Sequence, residues 1–430
     1  MQKYFQLLAV FLIVAFSNNF VWFALTFWAY LTTHSVVATG MIGGAFTVFS
    51  SLSSFWFGSL VDHHKKKKVM LGSSVASLSL FTLGLVFLNL WSETQFAQLN
   101  QPYFWLLVLP LLLGTLAGSL YQITLPTLVG VLVPEDRRDK ANGMLGMTMG
   151  IAFALTSVAS GYILSHFGLP TVLLVAMLMT LLAIFVLFFI KIPEKEIIHL
   201  SENKQSKIDI KGTVKVIQKI PGMFALIFFT TFNNFVGGVF MALMDAYGLT
   251  LMSVQNWGSL WGFLSFGFIF GGMAISKWGL GKNPLRTLFN VNTAIWISCI
   301  IFPIQPSIIL LTLGALVWMS LFPYIEATEQ TIVQKVVPQN RQGRVFGFAH
   351  SVEQAASPLT AFLIGPIAQY FFIPLMTDGK GAALIGSWFG IGAGRGIALV
   401  FIMAGLLGLS MTSLARKSKA YAQLSSIFSK

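Results

Sequence analysis

The sequence predicts an all-α polytopic membrane protein, with twelve transmembrane helices in two six-helix halves that form a parallel repeat. Of its 430 residues, 56% are hydrophobic and 10% are charged, whereas a soluble domain carries about 25% charged residues. Apolar runs of about 20 residues follow one another along the chain, and each can cross a bilayer as a helix. Short motifs in the first half return in the same order in the second.

The apolar runs fall into two groups of six around one hydrophilic segment. We predict an N-terminal half at 1–191, a cytoplasmic linker at 192–221, and a C-terminal half at 222–430 that ends in a short cytoplasmic tail. In chain order, the runs predict spans 1–12 at 5–31, 38–61, 69–91, 103–132, 141–165, 170–191, 222–248, 256–277, 285–305, 307–334, 344–374 and 391–415.

The basic residues set the predicted orientation. With alternating spans, all of the 27 Lys and Arg residues except Lys380 and Arg395 fall at one face. Because short cytoplasmic loops carry an excess of Lys and Arg, both termini and the linker are expected in the cytoplasm, in a multi-pass protein of the cell membrane. The net charge of +13 then reflects topology and contact with anionic lipid, and predicts no nucleic-acid partner.

The linker has its own pattern. Lys207, Lys211, Lys215 and Lys219 are spaced by four, with apolar residues between them. As a helix this segment is amphipathic and suited to an anionic leaflet. A solvated linker explains the same residues equally well, and Gly212 disfavours a helix.

The internal repeat fixes how the halves are related. Asn18–Val21 of span 1 returns as Asn233–Val236 of span 7, both reading Asn-Asn-Phe-Val. The pattern Val-Pro-x-x-Arg at 133–137 returns at 337–341. Six spans separate the copies, so equivalent spans point the same way, as in repeats related by an axis along the membrane normal.

Span 2 ends in Gly58-x-Leu60-x-Asp62, followed by two histidines and four lysines. With this loop, the repeat and the span count, the chain resembles the major facilitator superfamily over nearly its whole length. The loops at 133–143 and 337–347 resemble those of its macrolide-efflux-like branch, the third drug:proton antiporter family. The second copy of the signature loop has decayed, because Ser276 stands where the first has Asp62.

This resemblance implies a secondary active transporter that exports lipophilic or amphipathic compounds, such as drugs or macrolides, by alternating access with proton exchange. Three departures weaken the expectation of antiport. Lysines replace the usual loop glycine, span 4 lacks the arginine of many proton-coupled relatives, and Ser157–Gly161 replaces the Gly-Pro motif of span 5. A facilitator or importer of a small metabolite is the alternative with the same fold.

A non-transporting scaffold or receptor is the alternative from another class, but the chain has no large soluble region to support it. No enzyme motif, cofactor motif or metal-ligand spacing is present in the sequence, so we expect neither catalysis nor a cofactor. The expected partners are a small-molecule substrate, protons and anionic lipid, bound by a monomer.

Carboxyl groups within the spans are candidates for proton coupling or cation binding. Charges in a bilayer are expensive and usually face a cavity or a partner, and Glu353 lies near the middle of span 11. A protonated Glu353 bonded to a neighbouring helix is the structural alternative. Glu326 of span 10 either lines the pocket or bonds another helix, and Glu329, on the same face, is expected to pair with Lys335 or Arg341.

Amide and aromatic side chains near the membrane midplane are candidates for a substrate pocket. Transporter sites form at that depth between the repeats, and amides offer both donors and acceptors. Hydrogen bonds between helices would explain the same asparagines. The candidates are Asn18, Asn19, Asn233, Asn234, Gln122 and Trp22.

Gly58, Asp62 and Arg344 are the candidates for a cytoplasmic gate. Asp62, at the inner end of span 2, can accept hydrogen bonds from a helix N-terminus or from Arg344, which would hold the two halves together. A solvated loop carboxylate is the alternative.

Overall fold

The computed structural model describes residues 2–33, 36–98, 101–192 and 210–428, and its regular structure within these ranges is helical. The all-α class and the twelve spans are confirmed. The spans are Gln2–Thr33, Val36–His63, Lys66–Leu90, Pro102–Gly118 with Leu120–Leu132, Arg138–Phe189 (spans 5 and 6), Met223–Leu249, Val254–Leu264 with Phe266–Trp278, Pro284–Ile301, Ile308–Val336, Gln342–Ile367 and Ala393–Arg416.

Local chemistry explains where several spans bend or join. Spans 5 and 6 form one helical stretch that turns at Gly168, whose φ of 75° favours glycine. Span 4 is interrupted at Ser119, and span 8 at Ser265. Span 11 continues into a π-helical turn at Ala368–Phe372.

The loop after span 2 is shorter than predicted. The helix continues through His63, and span 3 begins at Lys66, so only His64 and Lys65 lie between the two helices. Gly58 and Asp62 therefore lie on the last turns of span 2, where their positions are fixed by the helix.

Short α-helices also lie outside the spans, at Glu93–Phe96, Ile210–Lys219, Ile373–Thr377, Lys380–Phe389 and, after span 12, Lys419–Ser426. The helix at 210–219 buries Thr213 and Ile217 and leaves its three lysines exposed. Lys207 and the rest of the linker at 193–209 lie outside the described residues.

We call the face that carries Lys65–Lys68, Arg137 and Arg341 the basic face, and the face that carries Lys380 the far face. Each half has its own apolar core. Another apolar cluster crosses between the halves at the basic face, where Phe57 of span 2 is buried together with Leu226 of span 7 and Val345 of span 11. Large apolar side chains cover the outside of the bundle, as a lipid environment requires.

Candidate functional site

A cavity of about 280 Å³ lies in the first half, between spans 1, 2, 4 and 5. Its residues come from near the middle of these spans, so it lies at mid-membrane depth. Asn18, Asn19 and Trp22 of span 1 and Gln122 of span 4 line it together. Most of the other lining residues are aromatic or small: Phe11, Val14, Ala15, Phe23, Phe46, Thr115, Gly118, Ser119, Tyr121, Met149 and Phe153.

The three amide side chains in this cavity keep their hydrogen-bonding groups available. Within the described residues, no protein group donates to or accepts from the amides of Asn18, Asn19 or Gln122. The hydroxyls of Thr115 and Ser119 instead donate to carbonyls of their own helix, at 2.8 and 2.7 Å. The amides are therefore the groups that can bind a molecule in the cavity.

The shape of span 4 positions one of these amides. The helix is interrupted at Ser119, next to Gly118. A methyl group on Gly118 would overlap the side-chain amide of Asn18, so the asparagine packs directly on the glycine. Elsewhere in the cavity, the rings of Trp22 and Phe46 pack at 4.6 Å between centroids.

The repeat counterparts of these asparagines do not line this cavity. Asn233 donates to the carbonyl of Phe229 at 2.7 Å and accepts from Nε1 of Trp296 at 2.9 Å. Asn234 donates to the carbonyl of Thr230 at 3.1 Å. In the second half, both asparagine amides therefore make bonds within that half.

Three carboxyl groups from spans 10 and 11 come close together in the second half. The side chains of Glu329 and Glu353 lie within hydrogen-bonding reach of each other, and the hydroxyl of Thr230 donates to Oε1 of Glu353 at 2.5 Å. Because an ionised carboxylate only accepts, a hydrogen bond between two carboxyl groups requires a proton on one of them. This arrangement can hold a proton at membrane depth.

The third carboxyl group, Glu326, is exposed, whereas Glu329 is 8% exposed. It lies close enough to Glu329 and Glu353 for a charge on one acid to disfavour a charge on the others. Of the two predicted partners of Glu329, Lys335 pairs with another acid, since its Nζ lies 3.5 Å from Oε1 of Glu135. Residues six apart on a helix do not share a face, whereas those three or four apart do.

Spans 2 and 11 cross at glycines near the basic face. A methyl group on Gly58 would overlap the carbonyl oxygen of Gly343, and one on Gly347 would overlap the carbonyl oxygen of Ser54. The two backbones, one from each half, are therefore in direct contact.

Asp62 joins the same two spans by hydrogen bonds. It is 9% exposed, and its two oxygens accept from the backbone N–H groups of Gly343 and Arg344, each at 2.8 Å. These groups belong to the first turn of span 11, where the helix presents partial positive charge. The guanidinium of Arg344 instead donates from Nη2 to Nε2 of His63 at 2.6 Å.

The contact between spans 2 and 11 continues towards the membrane centre. The hydroxyl of Ser51 donates to the carbonyl of Ser351 at 2.8 Å, and that of Ser351 donates to the carbonyl of Ser51. Ser54 and Nδ1 of His350 form a hydrogen bond of 2.9 Å. Small and polar residues thus form a continuous seam between the halves.

Spans 5 and 8 form the equivalent contact on the other side of the bundle. Gly143 of span 5 packs against Ile275 of span 8, and a methyl group on it would overlap that side chain. Asp139, at the start of span 5, accepts from the backbone N–H of Leu280 at 2.9 Å. The acid lost at Ser276 of span 8 is therefore replaced by one on the opposing span.

The far-face ends of these spans lack the tight glycine contacts that their basic-face ends make within the described residues. A carbon added at Gly43 or Gly44 of span 2, Gly258 of span 8 or Gly365 of span 11 meets no atom of the described residues within 4 Å. The two halves are therefore closed together at the basic face. We call the contacts of spans 2 with 11 and 5 with 8 the basic-face gate.

Some of these residues could not be singled out from the sequence. Thr230, His63 and Asp139 carry contacts of the acid group or the gate, yet each is a common residue type in an unremarkable context. Glu329 did carry a signal, because its spacing of three from Glu326 places both acids on one face. Glu353 carried one as well, because it is an acid near the middle of span 11, but the sequence did not show that the two acids meet.

A bundle of two repeated halves, with a polar cavity at mid-membrane and closure at one face, defines a membrane transporter. A family model described as Major Facilitator Superfamily matches residues 7–361. The chain belongs to this superfamily, and the resemblance predicted from its loops and repeat is confirmed.

Similar proteins include named efflux proteins. Macrolide efflux protein A of Enterococcus faecalis is 21% identical over 321 residues, which cover 70% of this chain and 92% of that protein. Multidrug resistance protein MdtG of Salmonella paratyphi C is 26% identical over 224 residues, which cover 49% of this chain and 52% of that protein.

Solved structures show the same fold. The crystal structure of a bacterial homologue of the iron transporter ferroportin, in an outward-facing state, has a TM-score of 0.71 at 13% identity, and the match covers 97% of this chain and 100% of that one. The human organic anion transporter MFSD10 has a TM-score of 0.69 at 11% identity, with 95% and 99% covered.

Proposed function

We propose that this protein is a secondary active exporter of lipophilic or amphipathic compounds, working by alternating access with proton exchange. The observation that carries the proposal is the aromatic and amide-lined cavity at mid-membrane depth, in a bundle whose basic face is closed. Aromatic walls suit an apolar body, and the free amides of Asn18, Asn19 and Gln122 suit a polar group on it. The efflux proteins to which the chain is similar support this direction of transport.

In this proposal the basic face is the cytoplasmic face, because of its excess of Lys and Arg. The halves at 1–191 and 222–430 rock against each other, and the segment at 192–221 joins them in the cytoplasm. The exposed lysines of the helix at Ile210–Lys219 contact anionic lipid. The state described is then closed to the cytoplasm, and substrate enters after the gate residues Gly58, Asp62 and Arg344 separate from their partners.

Glu353 is the proposed proton carrier, with Glu329 as its hydrogen-bond partner and Glu326 as the acid that faces open space. A proton on the Glu329–Glu353 pair satisfies their hydrogen bond. Its loss leaves two like charges side by side, which disfavours this arrangement. That difference between protonation states is what can couple proton movement to a change of conformation.

The test is the accumulation of a lipophilic fluorescent cation and, in parallel, an uncharged lipophilic dye in cells that express the protein. We expect lower accumulation of at least one dye with the wild type, and loss of this effect with Glu353→Gln or with a protonophore. Surface expression of each variant is the control. An increase in accumulation would favour an importer, and no change under any condition would contradict broad export.

A further inference from the structure

We infer that the cavity of the first half binds an uncharged polar group of the substrate, such as an amide, a hydroxyl or a glycosyl group. In this inference Gln122 is the residue that makes the cavity prefer an uncharged group to a cation. The inference rests on the proposed function, because it names the class of substrate that the same cavity accepts. It concerns binding, and so it can be tested apart from the direction or energy source of transport.

The charge of the cavity favours an uncharged group. None of the described residues that line it is an acid, a base or a histidine. A cation at this depth would lose hydration that no lining carboxylate replaces. An uncharged polar group loses less hydration and regains its hydrogen bonds from the amides.

The hydrogen-bonding state of those amides favours the same kind of group. Asn18, Asn19 and Gln122 each present a donor and an acceptor, and no group of the described residues uses them. A group that both donates and accepts, such as an amide or a hydroxyl, satisfies them best. A site built from unsatisfied polar groups discriminates strongly against molecules that leave those groups unpaired.

Aromatic rings can also hold a cation, so their packing matters. Trp22 packs on Phe46 at 4.6 Å. Phe153 packs on Phe23 at 5.2 Å and on Phe268 of span 8 at 6.5 Å. Because these rings pack against each other, they form an apolar wall and not an open cage around one point.

The internal repeat indicates that Gln122 is the determining residue. The interval that separates the two Val-Pro-x-x-Arg patterns also relates Gln122 of span 4 to Glu326 of span 10. The second half therefore has a carboxyl group where the first half has an amide of similar length. Gln122 and Met149 are the lining positions at which this interval leads to an acid of the second half, Glu326 and Glu353, and of these two Gln122 is the polar one.

The volume limits how much of a substrate this cavity holds. About 280 Å³ is just below the usual range of ligand cavities, about 300 to 1,000 Å³. The cavity fits one ring or one polar substituent with a short apolar arm, and the rest of a larger amphiphile would extend towards the second half.

The experiment uses the full chain, purified and reconstituted in lipid nanodiscs, and two fluorescent probes. Both carry the same dansyl group and linker, and they end in an acetamide in one case and a trimethylammonium group in the other. Fluorescence titration gives the Kd of each probe for the wild type, Gln122→Glu, Gln122→Leu and Gln218→Glu. The last variant makes the same change at an exposed position of the linker helix.

We expect the wild type and Gln218→Glu to bind the acetamide probe at least about tenfold more tightly than the trimethylammonium probe. Gln122→Glu should strengthen binding of the trimethylammonium probe by about tenfold or more, because the carboxylate attracts the positive charge at a depth where water screens little. Gln122→Leu should weaken acetamide binding by about threefold to tenfold and leave ammonium binding unchanged. If Gln122→Glu does not fold, Asn19→Asp places an acid in the same cavity and should act in the same direction.

Equal or tighter ammonium binding by the wild type would overturn the inference. So would an unchanged preference in a folded Gln122→Glu or Asn19→Asp. Export of compounds by cells, together with ammonium preference of the purified protein, would leave the proposed function standing and reject only this inference. Preference for the acetamide probe without any export by cells would support the inference and contradict the proposed function.

Discussion

Asp62→Asn should weaken the basic-face gate while leaving the protein folded. Asp62 accepts two backbone N–H groups from the first turn of span 11. An asparagine keeps one acceptor and places an N–H₂ group against the other donor. The loss of one hydrogen bond to a charged group costs about 1.5–3 kcal/mol, and the lost attraction between the carboxylate and the helix N-terminus costs about 0.3–1 kcal/mol more.

Together these terms favour opening of the gate by about 2–4 kcal/mol. About 3 kcal/mol corresponds to roughly a hundredfold change in the ratio of closed to open states. If the closed state of the wild type is favoured over the open state by no more than about 3 kcal/mol, the variant should populate the open state substantially. Since each transport cycle must close this face, we expect transport to fall as well.

The assay is a distance measurement between two spin labels at the basic face. His64 and Asn340 are exposed and lie on opposite halves, and replacement of Cys299, the one cysteine of the chain, leaves only the introduced sites. We expect Asp62→Asn to add a longer distance to the distribution. Asp136→Asn, which removes an exposed acid at the same face, is the control and should add none.

The reasoning would be refuted if folded, well-expressed Asp62→Asn kept both the wild-type distance distribution and wild-type transport. The two bonds from span 11 would then contribute nothing to closure, and the glycine contact alone would account for it.

Three further predictions concern the gate, the acids and a surface ion pair. Gly58→Val puts a side chain into the backbone of span 11 and should lower export by about tenfold or more. Gly43→Val, which adds a side chain in open space on the same span, should leave export unchanged. Equal export by the two variants would contradict this prediction. Glu329→Gln should lower pH-driven transport by about tenfold or more, because it removes one acid of the hydrogen-bonded pair; unchanged pH dependence would refute that role. Glu135→Ala breaks an exposed ion pair with Lys335 at 3.5 Å. Thermal unfolding should show that the free energy of unfolding falls by less than about 1 kcal/mol. A larger fall would contradict the small contribution expected of an exposed ion pair.

The spans, their number and the repeat could be predicted because the bilayer imposes a simple rule. Each crossing needs about 20 apolar residues, and the interruptions by lysines are easy to see. The short helix at Lys380–Phe389 and the breaks at Ser119 and Ser265 were not predicted, since they depend on packing against neighbouring helices.

The candidate site was predictable only where its residues share one helix face. Asn18 and Trp22 are four apart, so they point the same way, and both line the cavity with Gln122. The hydrogen bond of Glu329 with Glu353, and that of His63 with Arg344, join different helices. Such contacts depend on how each helix is rotated about its axis, which the hydrophobic pattern of a span does not specify.

The central claim is that an outward flow of substrate is driven by protons through Glu353. The most direct test is substrate uptake by inside-out membrane vesicles with an imposed pH gradient, acidic inside, for the wild type and Glu353→Gln. We predict uptake by the wild type that rises with the gradient and collapses with a protonophore, and no response to the gradient in the variant. Uptake that ignores the gradient, or that persists unchanged in Glu353→Gln, would contradict the account.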